Sequence, residues 1–198
     1  MSISPHREEV TTTSKRLPGD EGVWVFIGAD MMMFGVFFVT FVHDRLKDVA
    51  LYESSRLALN PTVGAINTLL LLAGSLFVVR ALEGAREGSV GPVRRNLLLA
   101  IFSGVGFAIS KFFEYRSEIA AGHTLVSNDF FMFYFAFTGV HLAHLLLGLA
   151  VLMWLRSSAN EGVGTARYVK FLECGGIYWH MVDLLWIMLF PLLYLLKA

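Results

Sequence analysis

The sequence predicts an all-α integral membrane bundle of five transmembrane helices, N-terminus cytoplasmic and C-terminus outside. Three observations predict it. Of 198 residues 56% are hydrophobic, 17 of them Phe, and the mean hydropathy is +0.61, which is more apolar surface than a water-soluble globule can bury. The apolar residues gather in five runs, each close to the ~20 residues that cross a hydrocarbon core about 30 Å thick. The runs lack strand-type alternation, and a backbone in lipid must satisfy its own polar groups, so they read as helices rather than barrel strands.

Residues 1–21 form a polar N-terminal arm, and residues 22–198 form the transmembrane domain. Asp20 is placed to cap the first span, about 22–43, whose one charge between Val23 and Val42 is Asp30. Lys15 and Arg16 precede it as they would a signal peptide, but the run is too long for such an apolar region and no small-residue cleavage site follows, so a retained span is expected. The second span, about 62–82, follows "LNPT", with Asn60 as cap and Pro61 at the first helical position. The third, about 96–117, continues through "KFFEY", with the Lys111 stem expected to stretch toward the interface. The fourth, about 129–155, follows the capping stretch "SND" and has 26 uncharged residues. The fifth, about 174–196, carries Pro191 near its end, where a kink is expected.

Lys and Arg set the orientation. The arm and the second and fourth connections hold ten, against five on the opposite side, so the N-terminus is expected in the cytoplasm. No basic stripe accompanies the formal net charge of zero, which argues against nucleic-acid binding. The single cysteine, Cys174, allows neither an internal disulfide nor a CxxC motif.

Ionisable groups at membrane depth cost roughly 2.5 to 3.5 kcal/mol each, so each needs a partner or a purpose. Lys111 and Glu114, three apart, can neutralise each other as an outer-half pair. Glu173, His180 and Asp183 lie at i, i+7 and i+10, one helix face. At about 1.5 Å per residue, Asp30, His144, His180 and Asp183 fall in the inner half, where a shared polar cluster is geometrically available. His144 and His180 could also hold a b-type haem from facing helices, but His141 and His144 diverge by ~60° and no set of metal ligands of matching depth assembles. A packing face accounts better for "GVHLAHLLLG": Gly139 and Gly148 admit a neighbouring helix, and His141 and His144 hydrogen-bond across the contact. Gly64, Gly74, Ser75, Gly104 and Gly106 extend this theme, and Asn67 could donate across such a contact. Trp24, Tyr115, Trp154 and Tyr194 suit an interfacial belt, and Trp179 and Trp186 flank the fifth-helix polar residues.

The same stretches resemble a known family. "GVHLAHLLLG", "INTLLLLAGS", "KFFEY" and the closing "YWHMVDLLW" are similar to motifs of subunit III of the haem-copper oxidases, over roughly residues 20–196. The opening and closing spans look most like the five-helix NorE-type proteins associated with nitric oxide reductase in denitrification. Subunit III of quinol or cytochrome c oxidases is the alternative. The resemblance implies a multi-pass protein of the bacterial cytoplasmic membrane, with no catalytic residue, cofactor or metal of its own. Its partners would be a haem-copper catalytic subunit and membrane lipid, and its role to help sustain that subunit's turnover and proton uptake. Two departures bear on residues: Asp30 stands where many members have Glu, and Lys111 sits three before Glu114 where they have a neutral polar residue. The longer, seven-helix members carry two further N-terminal helices that wall a lipid cleft.

Overall fold

A computed structural model describes residues 19–197. The arm residues 1–18, with Lys15 and Arg16, lie outside the described part. Six α-helices follow in order: α1 Glu21–Lys47, α2 Val49–Arg56, α3 Pro61–Arg86, α4 Val90–Ala120, α5 Asp129–Gly162 and α6 Ala166–Phe190, closed by a π-helical turn, Pro191–Leu195. No strand occurs among the described residues. Five helices, α1, α3, α4, α5 and α6 with its terminal turn, are long and apolar enough to span a membrane. They run through the bundle alternately, so that α1 starts at one end, called here the first end, and α2 lies at the other.

Helix starts follow local chemistry. Asp20, Asn60, Asn128 and Thr165 accept from the backbone N–H of Glu21, Thr62, Phe131 and Tyr168, each satisfying a donor that the first turn leaves unpaired. Helix stops at Gly88 (φ 74°) and Gly122 (φ 87°) use the left-handed region open to glycine. There Ser89 N donates to Gly84 O at 2.9 Å and His123 N to Glu118 O at 2.9 Å, and the chain reverses in a few residues. Pro191 has no N–H for the α-helical ladder. The chain widens there into a π-helical turn, and Leu196 N reaches Pro191 O at 2.9 Å. The helices are longer than the apolar runs at most ends.

The core is built on α3, which packs most extensively on α4 and then α6. Its buried seam, Gly64, Asn67, Leu71, Gly74, Val78, Ala81 and Ala85, steps by three and four residues, the spacing of one helix face. Trp179 of α6 is the central piece. A Cβ added at Gly74, Gly104 or Gly148 would stand 3.2, 2.7 and 3.3 Å from its indole carbons. Three helices therefore present glycine to one ring, and the ring is fully buried. Gly139, by contrast, faces open space, so it does not serve the close approach expected of it. Helix α1 is the most loosely attached span: only Asp30, Phe34 and Phe41 are buried, while Val25, Met32, Val36 and Val39 are 64% or more exposed.

Candidate functional site

Two polar centres lie inside the bundle, at different depths. The first surrounds Lys111, whose side chain is 1% exposed. It does not stretch toward the interface as the sequence leads one to expect, because enough acceptors converge on it in the core. Its ammonium lies 3.1 Å from Glu114 Oε1, 2.7 Å from the Tyr194 hydroxyl and 3.4 Å from that of Tyr134. Both tyrosines give their protons to Glu114 Oε1, Tyr134 at 2.6 Å and Tyr194 by a shorter contact. Their lone pairs are thus left to accept from the amine, and the three ammonium donors have three acceptors. Four rings, those of Tyr115, Tyr134, Trp186 and Tyr194, stand 5.0 to 5.7 Å from the amine, within cation–π range. Tyr115 donates to Thr138 Oγ1 at 2.6 Å, since the Thr138 proton goes to Tyr134 O. Tyr115 and Tyr194 therefore belong to this centre, not to an interfacial belt. Trp24 and Trp154 are 41% and 51% exposed.

Helix α2 braces this centre from the second end. Arg56 binds both Glu53 oxygens, at 3.2 and 2.5 Å, and donates to Tyr194 O at 3.1 Å. The Glu53 hydrogen bond holds its guanidinium above the ordinary arginine range. Asn128 donates to Ser55 at 2.9 Å, which ties α2 to the start of α5. Tyr52 packs edge-on to Phe41 and Phe130; its hydroxyl is buried and has no hydrogen-bond partner among the described residues. Burial, with Asp44, Asp129 and Asp48 adding to it, pushes that hydroxyl up to about 12. Beside the Lys111 centre a cavity of about 420 Å³ opens between Asn60 and Val63 of α3 and Ser110, Glu114, Ser117 and Glu118 of α4.

The second centre joins α1 to α5. Asp30 Oδ1 lies 3.1 Å from His144 Nε2, and His144 Nδ1 lies 2.9 Å from Val140 O. The other residues of the expected inner cluster are elsewhere. His180 bonds to Ser75 through Nδ1 and is exposed on the bundle surface. Asp183 is 4% exposed, and neither oxygen has a hydrogen-bond partner among the described residues; Ser75 is its near polar neighbour. Glu173 sits at the first end, paired with Arg86 at 2.8 Å and accepting Gly19 N at 3.4 Å. Glu173, His180 and Asp183 share a sequence spacing but not a site. Two turns of drift and a 60° offset turn Asp183 inward and His180 outward.

His141 makes no hydrogen bond across a helix contact. It is fully buried, neither nitrogen has a hydrogen-bond partner among the described residues, and its ring lies 5.5 Å from that of Phe107 and 5.3 Å from that of Trp186 by centroids. Asn67 is likewise fully buried, with no hydrogen-bond partner for its side chain among the described residues. Trp179 and Trp186 are core rings, and Trp186 Nε1 donates to Thr68 at 3.0 Å. Both His144 nitrogens are occupied by Val140 O and Asp30, so neither is free to ligate haem iron. No group of three or more His, Cys, Asp or Glu suited to a metal occurs among the described residues. Sequence reasoning did not anticipate Ser75 as the partner of His180, α2, or the tyrosine and tryptophan cage. The isolated charge of Lys111 was the available signal for a cage.

By class, five long apolar helices packed into one bundle with buried ion pairs define a multi-pass membrane protein. Residues 9–197 match the family described as Cytochrome c oxidase subunit III, and the chain belongs to it. It is 29% identical over 182 residues to the cytochrome c oxidase subunit 3 of Bacillus subtilis, covering 88% of this chain and 84% of that protein. It is 26% identical to that of Corynebacterium diphtheriae, covering 89% and 87%. It is 28% identical to a heme-copper oxidase subunit I+III of Aeropyrum pernix, where 87% of this chain corresponds to 22% of the longer protein.

Proposed function

We propose that the chain is the accessory third subunit of a haem-copper terminal oxidase, packing against a catalytic subunit that carries the electron and oxygen chemistry. The observation that carries the reading is the match of residues 9–197 to the subunit III family, together with relatives that carry oxidase names. Lys111 with Glu114, and Asp30 with His144, pair within the bundle and with neighbouring hydroxyls and carbonyls, which suits a structural role. The sequence resemblance to nitric oxide reductase accessory proteins is the weaker of the two specific readings, because the relatives quoted above carry oxidase names. The fused I+III relative favours direct contact with a catalytic subunit I, since evolution joins chains that already adjoin. The exposed apolar face of α1, with a groove of about 620 Å³ at Gly28, Met31, Met32, Gly35, Val36, Val39 and Thr40, is open to lipid or to that partner. The excess of Lys and Arg in the sequence of the arm and the second and fourth connections favours a cytoplasmic N-terminus, and the bacterial relatives quoted above favour a bacterial cytoplasmic membrane.

The test is isolation of the tagged chain from its own membranes in mild detergent. An oxidase catalytic subunit should come with it in stoichiometric amount. Recovery with nitric oxide reductase instead, or with no haem protein, contradicts the reading.

A further inference from the structure

The cavity of about 420 Å³ between the start of α3 and the end of α4 is lined by carboxylates that the core engages only in part. Glu114 lines it with a side chain 8% exposed. Its Oε1 is taken by Lys111, Tyr134 and Tyr194, all on the core side. Oε2, on the other branch of the carboxyl, is buried and has no hydrogen-bond partner among the described residues. One turn further on, Glu118 lines the same cavity, and His123 Nδ1 lies 2.7 Å from its Oε2, which leaves Oε1. Ser110 and Ser117 add hydroxyls to the wall. Asn60, whose Oδ1 accepts Thr62 N, adds an amide donor.

Buried carboxylate oxygens without donors are costly, and a charged donor offsets that cost best. The donor set narrows the ligand further. A guanidinium pairs best with both oxygens of one carboxylate, and neither Glu114 nor Glu118 has both to offer. Among the described residues no group of three or more His, Cys, Asp or Glu is suited to a metal ion, and Lys111 already balances Glu114, so the set suits a single charge. An ammonium group brings one positive charge and three separate donors, which match two single carboxylate oxygens and a serine hydroxyl. We propose that this cavity binds a primary ammonium group, as carried by the ethanolamine headgroup of a lipid or by a free amine.

Position favours the lipid as the source. At about 1.5 Å per residue, Glu118 and Glu114 lie roughly 3 and 9 Å inside the end of α4 at Ala120, and Asn60 caps α3 at the same end. That is the depth at which a bilayer presents its headgroups. Exposed Phe113, Ile109 and Ile66 continue the two helices from there toward the membrane middle, where acyl chains lie. No residue of α1 lines the cavity.

The test uses the full chain with the subunits that accompany it, in nanodiscs of phosphatidylcholine, whose quaternary headgroup has no N–H to donate. In one arm part of the lipid is phosphatidylethanolamine, and the lipids that stay with the protein on transfer to mild detergent are counted by mass spectrometry. In the other arm labelled ethanolamine is added to the water and its binding read by equilibrium dialysis. Glu114 is left intact, because Lys111 depends on it. Glu118→Gln removes a charge and keeps the shape, while Ala58→Phe places a ring at the cavity wall without touching a carboxylate. Phosphatidylethanolamine should be enriched about tenfold over its share of the bilayer, the discrimination that one charge-assisted hydrogen bond supplies. Both variants, shown to be folded by thermal melting, should bring the ratio back toward that share. Saturable ethanolamine binding that both variants abolish supports the site with a free amine as its ligand. Retention without headgroup preference together with no ethanolamine binding overturns the proposal, as does a preference that survives either variant.

Discussion

Replacing Glu114 by Gln would remove the countercharge of Lys111 and keep the shape of the site. At 3.1 Å and an effective dielectric of about 20, unit charges attract by ~5 kcal/mol. The two side chains are 1% and 8% exposed, so water cannot replace the carboxylate. Cation–π contact with four rings and the two tyrosine hydroxyls offset part of the loss, cation–π contributing ~2 kcal/mol when desolvated. The net cost should be about 3 to 5 kcal/mol, the usual range for breaking a buried pair from one side. Lys111→Met in the Glu114→Gln background removes the stranded cation as well, and should recover at least about 2 kcal/mol of the loss. The assay is reversible unfolding of the protein in bicelles, as a double-mutant cycle. A Glu114→Gln cost under about 1 kcal/mol, or a double variant no more stable than the single, would refute the reasoning, because it would mean that Lys111 is solvated or uncharged.

Other outcomes follow from the same geometry. Gly104→Ala places a methyl 2.7 Å from the Trp179 ring and 2.9 Å from Leu149, and the ring is also confined by Gly74 and Gly148, so overpacking should cost about 1–3 kcal/mol. Gly139→Ala meets nothing within 4 Å and should gain up to ~1 kcal/mol from helix propensity; the same unfolding assay reads both. Tyr52→Phe deletes a buried hydroxyl with no hydrogen-bond partner among the described residues and should leave stability at neutral pH equal or higher. With its folded value raised to about 12 over an unfolded value near 10, Tyr52 contributes fully below pH ~10. Its contribution is lost as pH climbs toward 12, so the variant should show a shallower alkaline loss of stability, read by thermal melts across that window.

The five spans were legible because lipid imposes length and composition together, and the caps at Asp20, Asn60 and Asn128 were legible because a short acceptor before an apolar run has few other uses. Of the four residues expected to cluster, Asp30 and His144 do meet, 3.1 Å apart. Azimuth was not legible. His180 and Asp183 differ by one turn's remainder, which sends one out of the bundle and the other into it, and only the packing of α3 against α6 decides which. Lys111 was assigned to the interface from its own chemistry. Its burial depends on Tyr134 and Tyr194, 23 and 83 residues away in sequence. Helix α2 was missed because eight residues of mixed polarity carry no membrane signature, and Gly139 was overread because a small residue permits a contact without requiring one.

The account stands on the chain being a supporting body for chemistry performed elsewhere, and sustained turnover tests that most directly. Oxidase isolated with this chain should be compared with oxidase stripped of it and then reconstituted, following oxygen consumption over many turnovers. The account predicts that the stripped enzyme starts at a rate close to that of the intact one, loses activity sooner, and regains its lifetime on reconstitution. A stripped enzyme with no initial activity, or one that keeps its full lifetime, would contradict it.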